Sequence, residues 1–151
     1  MKKIMFVCYG NICRSTMAEF LMKDLVSKKG KSSDFYIESS GTSNEEEGNP
    51  VHYGTRKILD RLGIDYSRKR ARQLEKSDYD KYDYFIAMDQ DNVREMKYLF
   101  SGDKDNKIIK LLDLTAEKRD VLDPWYTRDF EATYRDIQLG LNALYGFLLK
   151  E

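Results

Sequence analysis

The sequence predicts an α/β domain of three layers, a four-stranded parallel sheet covered by helices on both faces. Three observations predict it. Apolar runs of strand length alternate with longer segments of helical period, the pattern of parallel strands joined by helical crossovers. The 151 residues suit one domain, which at this size buries roughly two-thirds of the surface of its unfolded chain. The first apolar run stops abruptly in CYGNICRST, residues 8–16. That places a thiol, a glycine, an amide and a guanidinium after a strand, where such sheets bind ligands.

The elements follow in order. Residues 3–8 (KIMFVC) form the first expected strand. Residues 17–28 carry Met17, Phe20, Leu21 and Leu25 at helical spacing, and Thr16 with Glu19 fits the S/T-x-x-E capping box at the start. Residues 35–39 (FYIES) form the second strand. Residues 53–62 form a helix with Ile58, Leu59 and Leu62, stopped by Gly63. Residues 84–88 (YFIAM) and 107–112 (KIIKLL) form the third and fourth strands, with a helix at 92–100 between them. The last helix is marked by Phe130, Tyr134, Ile137, Leu141, Leu144 and Leu148, at intervals of three and four. These apolar positions read as core. No repeat, low-complexity tract or linker interrupts the chain, so residues 1–151 are expected to form a single domain. Right-handed crossovers are expected to put the first helix and the later ones on opposite faces.

Composition narrows the class. Lysine plus arginine, 26, equal aspartate plus glutamate, 26, leaving no basic surplus for nucleic acid or a membrane surface. MKKIMFVCYGN has too short an apolar run for a secretory signal, and no segment approaches the ~20 apolar residues of a membrane span. A cytoplasmic monomer is expected. The only two cysteines lie five positions apart in one loop, which suits a reducing compartment better than a disulfide scaffold.

Chemically, the stretch reads as a strand end, a turn and a helix start. Backbone amides at the positive end of a helix form an anion site, and Gly10 is expected to let the loop curl into a nest. The same surroundings lower the pKa of a cysteine from about 8.5 to roughly 3.5–7.5, which would make Cys8 a thiolate. Arg14 can hold two phosphate oxygens at once, and Ser15 can donate its hydroxyl to the thiolate.

The extended form V-C-x-G-N-I-C-R-S, next to the N-terminus, resembles the low molecular weight protein tyrosine phosphatases. The resemblance spans essentially the whole chain. It implies strand order 2-1-3-4, with the phosphate-binding loop after the first strand. It implies Cys8 as the nucleophile that forms a phosphocysteine and Arg14 as the phosphate clamp. Tyr9, Gly10, Asn11, Ile12, Cys13 and Ser15 would complete the loop, with Asn11 and Ser15 bracing it and Ser40 as an outer member of that network. In VLDPWYTRDFE, Asp123 would be the general acid and then the general base. Pro124 is expected to hold an extended turn and keep the chain out of a helix. Trp125 and Tyr126, with Tyr9, would form the walls for a phenyl ring. The substrates implied are phosphotyrosine-containing proteins and small aryl phosphates, with phosphate and other oxyanions as product or inhibitors. Neither cofactor nor metal is implied.

The sequence departs from the family in places. Thr16 replaces the usual proline after R-S, so the helix is expected to start a residue later. Glu45, Glu46 and Glu47 stand where an aromatic wall is common; they either favour basic substrates or form a solvated charge run. Lys69 or Arg70 replaces a histidine before A-R-Q, and Arg128 replaces a frequent glycine. His52 reads as an ordinary surface residue near a helix start, with no histidine essential. Cys13 either packs behind the loop or forms a reversible, protective disulfide with Cys8. Phosphoarginine would favour a small residue at position 12, so Ile12 leans to phosphotyrosine.

Two other activities compete. A thiol-dependent arsenate reductase needs cysteines downstream, and none follows Cys13. A phosphocysteine relay or a phosphate-binding module has no need of an acid at Asp123.

Overall fold

The computed structural model describes residues 1–150. Its four strands, β1 (Lys2–Cys8), β2 (Phe35–Gly41), β3 (Tyr84–Ala87) and β4 (Ile108–Lys110), form one parallel sheet in the order β2-β1-β3-β4. The helices are α1 (Arg14–Lys28), α2 (Tyr53–Arg61), α3 (Gln90–Leu99), the one-turn α4 (Pro124–Thr127) and α5 (Phe130–Leu149). This is the expected fold class.

β1 occupies the centre and is buried on both faces, as expected of a continuous apolar strand. Ile4 and Phe6 point into a core shared with α1, α2 and α5, while Met5 and Val7 point into a second core with α3 and the 3-10 turn Lys76–Asp80. Alternation along the strand assigns the faces. The expectation that the later helices lie opposite α1 therefore fails for α2 and α5 and holds for α3 alone. After the edge strand β4 the chain turns through Leu111–Leu114 and returns on the α1 face, where Ile137, Leu141, Leu144 and Leu148 fill the larger core.

The fourth strand is shorter than expected because Leu111 and Leu112 leave the sheet to pack beneath α5. Gly140 makes room for them, since a Cβ there would lie 2.4 Å from the Leu111 side chain. At the carboxyl end of the sheet, Met88 N–H donates to Val7 and its carbonyl accepts from Val121 N–H. Met88 thus leaves β3 and ties the loop before α4 to the sheet. Among the described residues, no helix is long and apolar enough to cross a membrane.

Candidate active site

β1 ends at the buried Cys8, and α1 begins only six residues later at Arg14, with Cys13 at its N-cap. The expected capping box and later start are overturned. Thr16 lies within the first turn and donates its hydroxyl to the Cys13 carbonyl at 3.0 Å, while Glu19 turns towards β2. The sharp bend falls on Asn11, at φ 60°, and not on Gly10. Asparagine tolerates this left-handed conformation because its short polar side chain can bond locally. The close approach that does require glycine is at Gly41, where a Cβ would sit 2.7 Å from the Tyr9 carbonyl oxygen.

Asn11 N–H donates to Cys8 Sγ at 3.3 Å, and Ser15 Oγ lies 3.0 Å from the same sulfur. The amides of Gly10, Ile12, Cys13 and Arg14 find no acceptor among the described residues. A curled loop at a helix N-terminus thus offers several donors to an anion.

Behind the loop runs a buried polar chain. Asn11 Nδ2 donates to Ser15 Oγ (2.8 Å) and Ser39 Oγ (2.9 Å), and Ser39 Oγ donates to Glu19 Oε1 (2.5 Å). Lys69 closes it, donating to the Ser39 carbonyl at 2.7 Å with its ammonium 3.5 Å from Glu19. The outer member is therefore Ser39; the Ser40 hydroxyl is buried without a hydrogen-bond partner. The reason is the pleat, which sends neighbouring side chains to opposite faces. Lys69, not Arg70, joins this network; Arg70 donates instead to the Ser67 and Lys69 carbonyls. Burial lowers the pKa of Lys69, opposed by the Glu19 carboxylate.

Arg14 is 2% exposed. Its Nη1 donates to Asp89 Oδ2 at 2.7 Å and to the Val121 carbonyl at 2.8 Å, and its Nη2 lies 3.5 Å from Asp123 Oδ2. Burial opposes its charge, but Cys8, Asp89 and Asp123 outweigh that and raise its pKa. Sequence reading missed Asp89. The signal was its place just beyond the third strand, as the first residue of a D-x-x-N capping box.

Asp123 comes to the same cleft from the other side. Contrary to expectation, Pro124 opens a helical turn: Asp123 is its N-cap, accepting from Trp125 N–H at 3.0 Å, and proline at N1 suits a helix start. The turn ends at Arg128 in the left-handed region, φ 61°, a conformation glycine adopts most readily. Asp120 braces this loop by accepting from Gln90 N–H and Lys110 Nζ.

A cleft of about 170 Å³ is lined by Cys8, Tyr9, Gly10, Ile12, Cys13 and Arg14 below and by Asp123, Trp125 and Tyr126 on one side. Glu45 and Glu46 face them, so at least two of the three glutamates belong to the rim. Glu45 accepts from the Tyr9 hydroxyl at 2.7 Å. Both cysteines are free thiols. Burial, then the neighbouring Cys8 and Asp123, push the Cys13 thiol far above its usual pKa. His52 is no ordinary surface residue: it caps α2, and its ring contacts Trp125 and Phe130. No group of three or more His, Cys, Asp or Glu among the described residues is arranged to hold a metal ion.

The profile of the family described as low molecular weight phosphotyrosine protein phosphatase matches residues 3–151. The low molecular weight protein-tyrosine-phosphatase YfkJ of Bacillus subtilis is 39% identical over 153 residues, covering 100% of this chain and 98% of its own. The crystal structure of YfkJ superposes with a TM-score of 0.96, covering 99% of this chain and 96% of its own. That of the low molecular weight protein tyrosine phosphatase from Streptococcus pyogenes, 44% identical, has a TM-score of 0.87 and covers 98% and 93%.

Proposed function

Since the chain belongs to the low molecular weight phosphotyrosine protein phosphatase family, we propose that it hydrolyses phosphotyrosine in proteins, and small aryl phosphates, through a phosphocysteine on Cys8. The observation that carries this reading is the convergence of three groups on one cleft: the Cys8 sulfur, the Arg14 guanidinium and the Asp123 carboxyl.

The phosphoryl group sits in the nest of loop amides with its oxygens on Arg14. Such chemistry is mostly positioning and charge stabilisation. Cys8 Sγ attacks phosphorus as the P–O bond to the phenol breaks, and protonated Asp123 gives its proton to the leaving oxygen. Asp123, now a carboxylate, then takes a proton from water, which attacks the phosphocysteine and releases phosphate. Ser15, 3.0 Å from the sulfur, stabilises the departing thiolate. Tyr9, Trp125 and Tyr126 border the phenyl ring. No step calls for a metal.

Cys8→Ser should abolish aryl phosphate hydrolysis while phosphate still binds; persisting turnover would sink the reading. Asp123→Asn should lower kcat roughly 10²–10⁴-fold for phenyl phosphate and much less for para-nitrophenyl phosphate, because only the poor leaving group needs the proton. A burst of phenol with no second turnover would point to a phosphocysteine relay instead.

A further inference from the structure

The only histidine, His52, joins the three segments that build the cleft. Its backbone N–H donates to the Ile12 carbonyl at 2.9 Å, tying it to the Cys8 loop. Its Nδ1 accepts from Gly54 N–H at 3.0 Å, capping α2. Its ring stacks on Phe130 at 5.2 Å and 9° and meets Trp125 edge-on at 5.8 Å and 77°. The backbone N–H of Trp125 in turn donates to Asp123 Oδ1 at 3.0 Å, holding the carboxyl to the same residue whose ring the imidazole meets.

The stack is built closely. A Cβ on Gly54 would lie 2.4 Å from the Phe130 ring, so only glycine lets that ring cover the first turn of α2 beside the imidazole. Capping alone does not explain the residue, since Asp, Asn or Ser caps as well without a ring.

We propose that His52 is a positioning residue for the acid loop, its neutral imidazole fixing Trp125, and through it the Asp123 carboxyl, over the Cys8 loop. The proposal rests on Asp123 being the acid.

The cap makes the role dependent on protonation. An Nδ1 that accepts from Gly54 N–H carries a lone pair, which leaves the neutral ring's proton on Nε2. A second proton on Nδ1 would set N–H against N–H and release the ring. The charged groups around the imidazole are Arg56 of α2, Arg128 at the end of α4, and Glu46 of the loop after β2. Phe130 and the Ile12 carbonyl complete its surroundings without charge. Burial and the two arginines, against Glu46, lower the pKa of His52 below its usual value, so the holding form persists through neutral pH.

Trp125 is the sole tryptophan, and its fluorescence reports the contact without reference to activity. In the native chain, emission should titrate with His52 on the acid side of neutrality, because protonation releases the imidazole from the indole and changes its surroundings, and this step should be missing in His52→Asn. The asparagine keeps a cap acceptor and loses the ring and its proton. Its inhibition by inorganic phosphate should stay within twofold of the native value. Its kcat on phenyl phosphate at pH 7 should fall roughly tenfold, with much less change on para-nitrophenyl phosphate. The deficit should narrow as pH falls through the His52 pKa, where the native protein loses the same contact. Gly54→Ala, which drives Phe130 off the imidazole, should show the same leaving-group-dependent loss. Equal kcat for native and His52→Asn across pH, or the same fluorescence titration in both, would overturn the proposal. Loss of phenyl phosphate turnover in Asp123→Asn alone would then still uphold the acid. If Asp123→Asn kept that turnover, the acid reading would fall, and the positioning role with it.

Discussion

Asp89 Oδ2 lies 2.7 Å from Arg14 Nη1, and this pair sets the plane of the guanidinium that faces the cleft. The other carboxylate oxygen, Oδ1, accepts from Asn92 N–H at 2.8 Å and caps α3. One side chain just beyond β3 thus starts a helix and aims the cation at the start of α1, 75 residues away.

These two duties separate by substitution. Asp89→Asn keeps a cap acceptor but removes the charge opposite Arg14. With a hydrogen bond to a charged group contributing about 1.5–3 kcal/mol, kcat/KM for an aryl phosphate should fall roughly tenfold or more. Asp89→Ala should lose a further ~1 kcal/mol of stability through the missing cap. Urea unfolding and steady-state kinetics on both variants check this; equal kcat/KM in native and Asp89→Asn protein would refute it.

The two thiols should differ in reactivity. Cys13, its pKa pushed up by burial and by its neighbours Cys8 and Asp123, is a neutral thiol at every working pH, and neutral thiols alkylate poorly. Brief treatment with iodoacetamide near neutrality should modify Cys8 and spare Cys13, as peptide mass spectrometry would report. Preferential labelling of Cys13 would contradict the environment described.

Two glycines of α5 should respond to alanine with opposite signs. At Gly140 a Cβ meets Leu111 at 2.4 Å, and overpacking a filled core typically costs about 1–3 kcal/mol, more than the helix gains from alanine. At Gly146 nothing lies within 4 Å of the added atom, so alanine should stabilise by up to about 1 kcal/mol. Thermal unfolding of each variant decides the sign.

Asp103 should contribute a pH-dependent share of stability. Burial alone would raise its pKa, but hydrogen bonds from Tyr79 and from the backbone N–H groups of Ile108 and Lys107 outweigh it and lower it. A carboxyl with a folded-state pKa below its unfolded value of about 3.9 stabilises fully above that value and loses the contribution as pH falls through the folded one. Asp103→Asn should therefore lower Tm at pH 7 and shrink the fall in Tm below about pH 4. An unchanged acid slope would exclude the linkage.

Much of this was legible in the sequence because its causes are local. Apolar runs and helical spacing marked all four strands and the four long helices, since burial of a face imposes those periods. The loop motif pointed to Cys8 and Arg14 because a thiol beside anion donors needs little context. Other errors came from contacts between distant segments. Nothing local distinguishes Ser39 from Ser40; the pairing of β2 with β1 turns one towards Glu19 and leaves the other unbonded. Asp89 went unread, because Arg14 reaches it only across the sheet.

The sequence by itself determined the fold class, the loop of amides, thiols and a guanidinium after the first strand and the family resemblance, all of which rest on short-range pattern and residue chemistry. Tertiary structure alone decided the face taken by α5, the buried path from Cys8 to Lys69, the grip of Asp89 on Arg14 and the place of His52 beneath Trp125. Each depends on chain segments tens of residues apart meeting within hydrogen-bond or ring-contact distance, a matter of packing that no spacing along the chain encodes.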